Sequence, residues 1–243
     1  MTSDRESYDP ATAGMPPTPQ PDELPTPPGL RDYTKLPLLI IAAMFVAAAV
    51  LYPSLPDKFP THWGLNGPDA WSVKNFWSVY LMPLIALGIY VLLIVVPYFD
   101  PKRRSLKMSI RVYNIILDAV IGLEAVVFAA SMAAAFDNAF DVAKVVLVAV
   151  GLLFAVIGNF MTTVKQNWTM GVRASWTLSD EVVWRKTNRL GGYLFVLAGA
   201  ITVMCAFLPA PWNLVVMVAT IFSIVIVTYA YSYLLYRSRH PEA

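Results

Sequence analysis

The chain is poor in the residues that most soluble chemistry relies on. Its single cysteine, Cys205, lies inside an apolar run, so an intrachain disulfide and a thiol metal cluster are both excluded. It has two histidines, and only 14% of its 243 residues are charged. There is no glycine-rich phosphate loop, no His–Glu metal helix, and no Ser or Cys beside a candidate base. No catalytic constellation appears, and no soluble domain exists to hold one. The chain therefore reads as a non-enzyme with no cofactor and no direct nucleic-acid binding. It also shows no internal repeat of the kind that marks many secondary transporters.

What it has in abundance is apolar sequence: 57% hydrophobic residues and a mean hydropathy of +0.57. That composition belongs to a polytopic membrane protein, whose first partner is the lipid bilayer. Six apolar runs stand out, at about 36–54, 76–97, 109–135, 142–160, 191–208 and 213–236. Each approaches or exceeds the roughly 20 residues that cross a bilayer core as helix. Helices satisfy their own backbone groups in lipid, which an open sheet cannot do. The expected fold is an all-α membrane protein of six transmembrane helices.

The net charge of +2 says little, but its placement is informative. Arg31 and Lys35 precede the first run. Lys102, Arg103, Arg104, Lys107 and Arg111 lie between the second and third, and Lys165, Arg173, Arg185, Lys186 and Arg189 between the fourth and fifth. Arg237 and Arg239 follow the sixth. The alternate connections hold only Lys58 and Lys74, then Lys144, then none. The positive-inside rule puts both termini in the cytoplasm. Residues 36–50 resemble the apolar part of a signal peptide, but cleavage there would leave five spans and spoil the alternation.

Residues 1–30 carry eight prolines, more acids than bases and almost no apolar clustering. Such a segment cannot bury enough surface to offset its ordering entropy, and a disordered Pro-rich cytoplasmic tail is expected. The connection at 52–76 is longer than a hairpin needs. Pro53, Pro56 and Pro60 break helix, and Asn66-Gly67-Pro68-Asp69 is turn chemistry, so it is expected to fold on the outer membrane surface. His62 and Asp69 alone are too thin a donor set to argue a metal.

The third run carries the intramembrane polar residues. Arg111, Asn114 and Asp118 are spaced three and four apart and share one helical face. Asp118 stands roughly 10 Å along the axis from Arg111, and Glu124 lies about 120° further round the helix than Asp118. An ionised carboxylate at mid-depth costs about 2.5–3.5 kcal/mol on insertion scales, so both acids should face protein, water or a basic partner. The residues alone leave open a proton relay, a cavity for a cationic peptide, and a polar bond that locks the bundle.

Between the fourth and fifth runs, the stretch 158–192 holds polar residues that neither run would tolerate. Trp168, Trp176 and Trp184 sit among its five cationic side chains. Indole prefers the headgroup boundary, and Lys or Arg near a span reaches phosphates. Thr177 to Asp180 fits a loose capping box, with Ser179 as a competing cap. Asp180 and Glu181 then sit near the positive helix end, and Glu181 is spaced for a weak surface pair with Arg185. The residue chemistry predicts a short helix on a basic membrane face, ended by Gly191-Gly192.

The order of words in this stretch resembles the signature of the SdpI family of bacterial membrane proteins. It runs Gly158-Asn159, Asn167, Gly171-Val172-Arg173, Trp176-Thr177-Leu178 and Trp184-Arg185-Lys186-Thr187. Two departures stand out: Ala174-Ser175 replaces the family's usual Thr-Pro, and Asn188 stands where the family often has His. The outer loop, with Leu55-Pro56, Pro60-Thr61-His62, Gly67, Asp69 and Lys74, resembles a small domain that commonly precedes the SdpI part. The resemblance implies a multi-pass protein of the bacterial cytoplasmic membrane that gives immunity to an antimicrobial peptide or toxin. In the best-known system it also implies toxin-dependent capture of a repressor protein inside the cell. It divides the chain into a two-span unit, 31–100, and a four-span unit, 101–243, whose motif loop is 161–190. The site residues it suggests are His62, Trp63, Asn66 and Asp69 outside, with Asn159, Asn167, Gly171, Arg173, Trp176 and Trp184 inside. A small proton-coupled transporter using Asp118 and Glu124, with Asn114 beside them, is the alternative.

Overall fold

The computed structural model describes residues 28–64 and 67–242, apart from the side chains of residues 103 and 104. The expected disordered tail lies outside the described residues up to position 27, and so does Asn66. The described residues begin inside the expected tail, with Pro28 buried and a 3-10 turn at Leu30–Asp32. Three contacts hold that turn down. Asn114 Nδ2 donates to the Asp32 carbonyl at 2.8 Å, Lys107 pairs with the Asp32 carboxylate at 3.2 Å, and Tyr33 packs edge-on against Tyr113. The N–H of Gly29 and the Lys107 ammonium hold the Asp32 carboxyl below the usual carboxylate range.

Six helices are long and apolar enough to cross a membrane: Leu36–Ser54, Phe76–Phe99, Ile110–Phe136, Val142–Met161, Glu181–Cys205 and Trp212–Arg239. Their α-helical parts are α1 (Leu36–Leu51), α2 (Phe76–Val95), α4 (Ile110–Phe136), α5 (Val142–Met161), α7 (Glu181–Cys205) and α8 (Trp212–Arg239). Two short helices, α3 (Arg103–Met108) and α6 (Ser175–Ser179), lie in the connections before α4 and before α7. Helices α1, α2 and α4 pack on one another through Ile41, Met44 and Ala48, Val79, Ala86 and Tyr90, and Tyr113, Leu117, Ile121 and Phe128. These positions are spaced three, four or seven residues apart, which places each set on one face of its helix. From α4 the packing continues to α5, then α7, then α8.

One boundary differs from the hydropathy reading. The fifth span begins at Glu181 rather than near 191, so Gly191-Gly192 does not end a short interfacial helix but lies inside a spanning one. Arg185, Lys186 and Arg189 hid those first turns by lowering the local hydropathy. All three are exposed, whereas Val183, Trp184, Thr187, Asn188, Gly191 and Gly192 are buried, a helical period that puts the charges on the outer face alone.

The two glycines have a packing role. A Cβ at Gly192 would stand 2.7 Å from the carbonyl oxygen of Gly158, and one at Gly199 would stand 2.5 Å from that of Gly151. Helices α5 and α7 therefore meet backbone to backbone at two points a heptad apart. In lipid, where apolar burial does not drive helices together, such close approach supplies van der Waals contact.

The connection between α1 and α2 folds as a β-hairpin, β1 (Lys58–Gly64) against β2 (Gly67–Val73), the only sheet among the described residues. The pairing is antiparallel from Lys58↔Val73 to Gly64↔Gly67, with irregular register between Pro60 and Trp63. Gly67, at φ 105°, supplies the turn conformation that a side chain would oppose. Trp63 packs against Ala130 and Ala134 of α4 and Val142 of α5, which seats the hairpin on those helix ends.

Candidate functional site

The motif stretch folds into a buried polar cluster between the ends of α4, α5, α7 and α8. Its segment 162–174 has no regular structure, so its main-chain groups need side-chain partners. Asn167 is fully buried and serves as a turn-former: its Oδ1 accepts from Thr169 N at 2.8 Å and Met170 N at 2.6 Å, while its Nδ2 donates to the Lys165 carbonyl. Asn188, also buried, accepts from Val172 N at 2.9 Å and donates to the Trp184 carbonyl at 3.0 Å. Between the two, Gly171 takes φ 98°, and its missing Cβ leaves room for the Asn188 amide and the Trp184 ring.

Trp184 is not the headgroup anchor expected from its chemistry. It is 1% exposed and donates its indole N–H to the Val164 carbonyl at 3.0 Å, so it forms the floor of the cluster. Trp168, by contrast, is half exposed, as an anchor should be. Trp176 lies between these extremes. Its N–H donates to Ser232 Oγ at 2.8 Å, and its ring packs edge-on against Tyr229 and Tyr233, tying α6 to α8.

The cap also differs from expectation. Asp180, rather than Thr177 or Ser179, caps α7, its Oδ1 accepting from Val182 N at 2.7 Å and Val183 N at 3.0 Å. Thr177 instead stitches the turn before it, accepting from Ala174 N and donating to the Val172 carbonyl. The other oxygen of Asp180 reaches Arg239 Nε at 2.8 Å and lies 3.1 Å from His240 Nε2. The Arg239 guanidinium, joined by the two capping N–H groups and the His240 ring, holds the Asp180 carboxyl well below the usual carboxylate range despite its burial. Among the described residues the ion pairs in this region belong to Asp180, and the Glu181–Arg185 pair is not formed.

Three supports fell outside the sequence reading. Asp100, 4% exposed, accepts from Lys102 N, Trp168 N and Thr169 Oγ1, joining the end of the second span to the motif segment. Gln166 receives the Lys102 ammonium and donates to the Thr177 carbonyl. Ser109 accepts from Lys165 N at 3.0 Å. The Asp-Pro pair after the second apolar run was the signal for Asp100, since Asp before Pro favours turn initiation.

Arg173 is exposed and donates from its guanidinium to the Trp168 carbonyl, while its own carbonyl accepts from Tyr229 Oη at 3.2 Å. Asn159 is exposed on α5 and stands apart from the cluster. In the hairpin, His62 Nδ1 and Asp69 Oδ1 pair across the strands at the surface, and Trp63 is partly buried. Within the membrane region, Asn114 holds Asp32, one carboxylate oxygen of Asp118 is buried without a protein partner, and Glu124 is partly buried. The structure thus gathers Asn167, Gly171, Arg173, Trp176 and Trp184 into one site and leaves His62, Trp63 and Asp69 in another.

Residues 163–232 match the SdpI/YfhL protein family, and residues 39–87 match a domain of unknown function, DUF1648. The chain is 21% identical over 201 residues to the Immunity protein SdpI of Bacillus subtilis (strain 168), covering 82% of this chain and 94% of that protein. No solved structure matches the chain. With six helices of spanning length, the chain is a multi-pass bacterial membrane protein in which the segment similar to the SdpI/YfhL family holds Asn167, Gly171, Trp176 and Trp184, and the segment similar to DUF1648 holds the hairpin.

Proposed function

We propose that this chain is a non-enzymatic membrane immunity protein, protecting the cytoplasmic membrane against an antimicrobial peptide or toxin. The observation that carries the reading is the likeness to the Immunity protein SdpI, which runs through hairpin, helices and polar cluster alike rather than through one motif. In this reading both termini are cytoplasmic, in keeping with the placement of Lys and Arg. The connection between the first two spans, whose sequence holds His62, Trp63, Asn66 and Asp69, faces outward and meets the peptide. The cluster faces inward, its buried members (Asn167, Asn188, Trp184) acting as scaffold and its exposed members (Trp168, Arg173) forming the surface offered to a repressor protein. The two-span unit 31–100 receives and the four-span unit 101–243 reports.

One observation favours a second reading, a proton-coupled transporter. The Asp118 oxygen without a partner lies in a span where an unmatched carboxylate is costly. The test expresses the chain in a peptide-sensitive host and scores survival under a panel of cell-envelope peptides. An immunity protein gives at least about a tenfold rise in survival over empty vector, a difference well above the factor of a few that expression level alone produces. Asp118→Asn with Glu124→Gln keeps that protection under the first reading and abolishes it under the second, since an amide has the shape but cannot carry the proton. No rise in survival with any peptide sinks the immunity reading.

A further inference from the structure

Beside the motif cluster lies a cavity of about 740 Å³, walled by Lys102, Ser105 and Met108 in and before α3, and by Lys165, Gln166 and Glu181 from the motif segment and the start of α7. Ligand pockets occupy roughly 300–1,000 Å³, so a lipid headgroup fits. Its walls are tied in place. Lys102 N donates to the Asp100 carboxylate at 2.7 Å, the Lys102 ammonium donates to Gln166 Oε1 at 2.5 Å, and Lys165 N donates to Ser109 Oγ at 3.0 Å. The charges in those walls are left over. Gln166 is a neutral partner for Lys102, and none of Lys102, Lys165 and Glu181 has an ion pair among the described residues. Two ammonium groups and one carboxylate thus line a single cavity without pairing with one another. Its surroundings are apolar: Met108 is 62% exposed, and Phe99, two residues before the lining Pro101, is 80% exposed.

We propose that this cavity holds the phosphoethanolamine headgroup of a membrane phospholipid, with the phosphate between the Lys102 and Lys165 ammonium groups and the lipid ammonium at the Glu181 carboxylate. The pattern of signs selects this occupant. A simple anion would face Glu181 as a like charge, and a simple cation would face the two lysines; a zwitterion answers all three. Lysine meets phosphate as a point charge through charge-assisted bonds, and Ser105 adds a hydroxyl donor. Ethanolamine keeps N–H groups that a carboxylate can accept, as a quaternary choline does not. The source is the bilayer because the cavity lies where the second span ends and the third begins, beside exposed Phe99 and Met108, at headgroup level. The bound headgroup bridges α3 to Lys165 and Gln166, next to the turn-forming Asn167, and so ties the lipid to the motif segment. None of this depends on the immunity reading, since it requires only that the spans lie in a bilayer.

The test uses the full-length chain, purified in detergent, stripped of lipid and titrated with dioleoyl phosphatidylethanolamine, phosphatidylglycerol or phosphatidylcholine. Native mass spectrometry reads the bound fraction, and variants are compared at equal helix content by circular dichroism. Wild type is expected to bind one phosphatidylethanolamine about fivefold more tightly than either other lipid. Lys165→Ala should weaken phosphatidylethanolamine and phosphatidylglycerol alike by about tenfold, the loss of one charge-assisted bond. Glu181→Gln should weaken phosphatidylethanolamine, strengthen phosphatidylglycerol and so erase the preference. That ratio is taken within one protein, so partial loss of folding does not imitate it. Lys186→Ala, which removes an exposed cation of α7 outside the cavity, should match wild type. Glycerophosphoethanolamine, the same headgroup without acyl chains, should compete only at concentrations about a hundredfold higher. Equal binding of the three lipids (a non-specific lipid belt only), a Lys165→Ala protein equal to wild type, or a preference unchanged by Glu181→Gln overturns the proposal. Competition by the deacylated headgroup at the lipid's own concentration identifies a soluble ligand and overturns the bilayer as source.

Discussion

Gly171→Ala is the sharpest probe of the polar cluster. The residue lies between Met170 and Val172, whose N–H groups are held by Asn167 and Asn188. At φ 98° an alanine would enter a left-handed region that costs an L-residue about 1–2 kcal/mol. Its Cβ would also stand 2.5 Å from Asn188 Oδ1 and 3.0 Å from two carbons of the Trp184 ring. Neither neighbour has room to retreat, because both are 1% exposed and Trp184 is bonded to the Val164 carbonyl. Displacing the Asn188 amide breaks its bond to Val172 N, and a buried polar group left unmatched costs about 1–3 kcal/mol. The expected loss is therefore about 2–5 kcal/mol, the sum of the two effects. Gly122→Ala in α4 is the control. Nothing lies within 4 Å of its added Cβ, and alanine in a helix should gain about 0.5–1 kcal/mol over glycine. Both are measured on purified protein in mild detergent by SDS titration, following far-UV circular dichroism. A Gly171→Ala protein within about 1 kcal/mol of wild type would refute the reasoning, because surface changes alone produce shifts of that size.

Three further outcomes are expected. A thiol reagent added to intact cells should label Ala70→Cys, in the hairpin, and reach Lys186→Cys only after permeabilisation, with little background from buried Cys205; labelling at 186 in intact cells would invert the topology. Arg173→Lys and Arg173→Ala should each lose about 1 kcal/mol in the SDS titration, since lysine lacks the guanidinium geometry that reaches the Trp168 carbonyl, and a lysine variant equal to wild type would reduce Arg173 to a phosphate anchor. Asp180 has a folded carboxyl held below its unfolded value, so its stabilisation is present at neutral pH and is lost as pH falls through the ordinary carboxylate range towards the folded value. Asp180→Asn should thus be less stable than wild type at pH 7 and lose less on acidification, and parallel acid profiles for the two proteins would contradict the clamp.

The turn chemistry at 66–69 and the bracketing prolines pointed to a folded connection between the first two spans, and a hairpin is what stands there. Its seating was not legible, because Trp63 finds its pocket on Ala130, Ala134 and Val142, residues that look like any other small apolar positions. The cluster was legible in outline only. Asn167, Gly171, Trp176 and Trp184 stood out between apolar runs, but indole chemistry suggested membrane anchoring where the fold buries Trp184 and bonds Trp176 to α8. Asn188 registered only as a substitution for His, although it holds the backbone of the motif turn.

The sequence by itself determined the number of spans, their approximate limits and the asymmetry of charge between the two faces. Those properties depend on length and hydropathy within a single segment, and the bilayer responds to each segment largely on its own. Tertiary structure alone decided where the fifth span begins, which carboxylate caps it, and which side chains close the motif turn. The first depends on which face of α7 meets α5, and hydropathy averages over faces. The others depend on hydrogen bonds such as that from Trp168 N to Asp100, whose partners are 68 residues apart and carry no shared period. A buried donor requires an acceptor, and only the packed helices determine which residue supplies it.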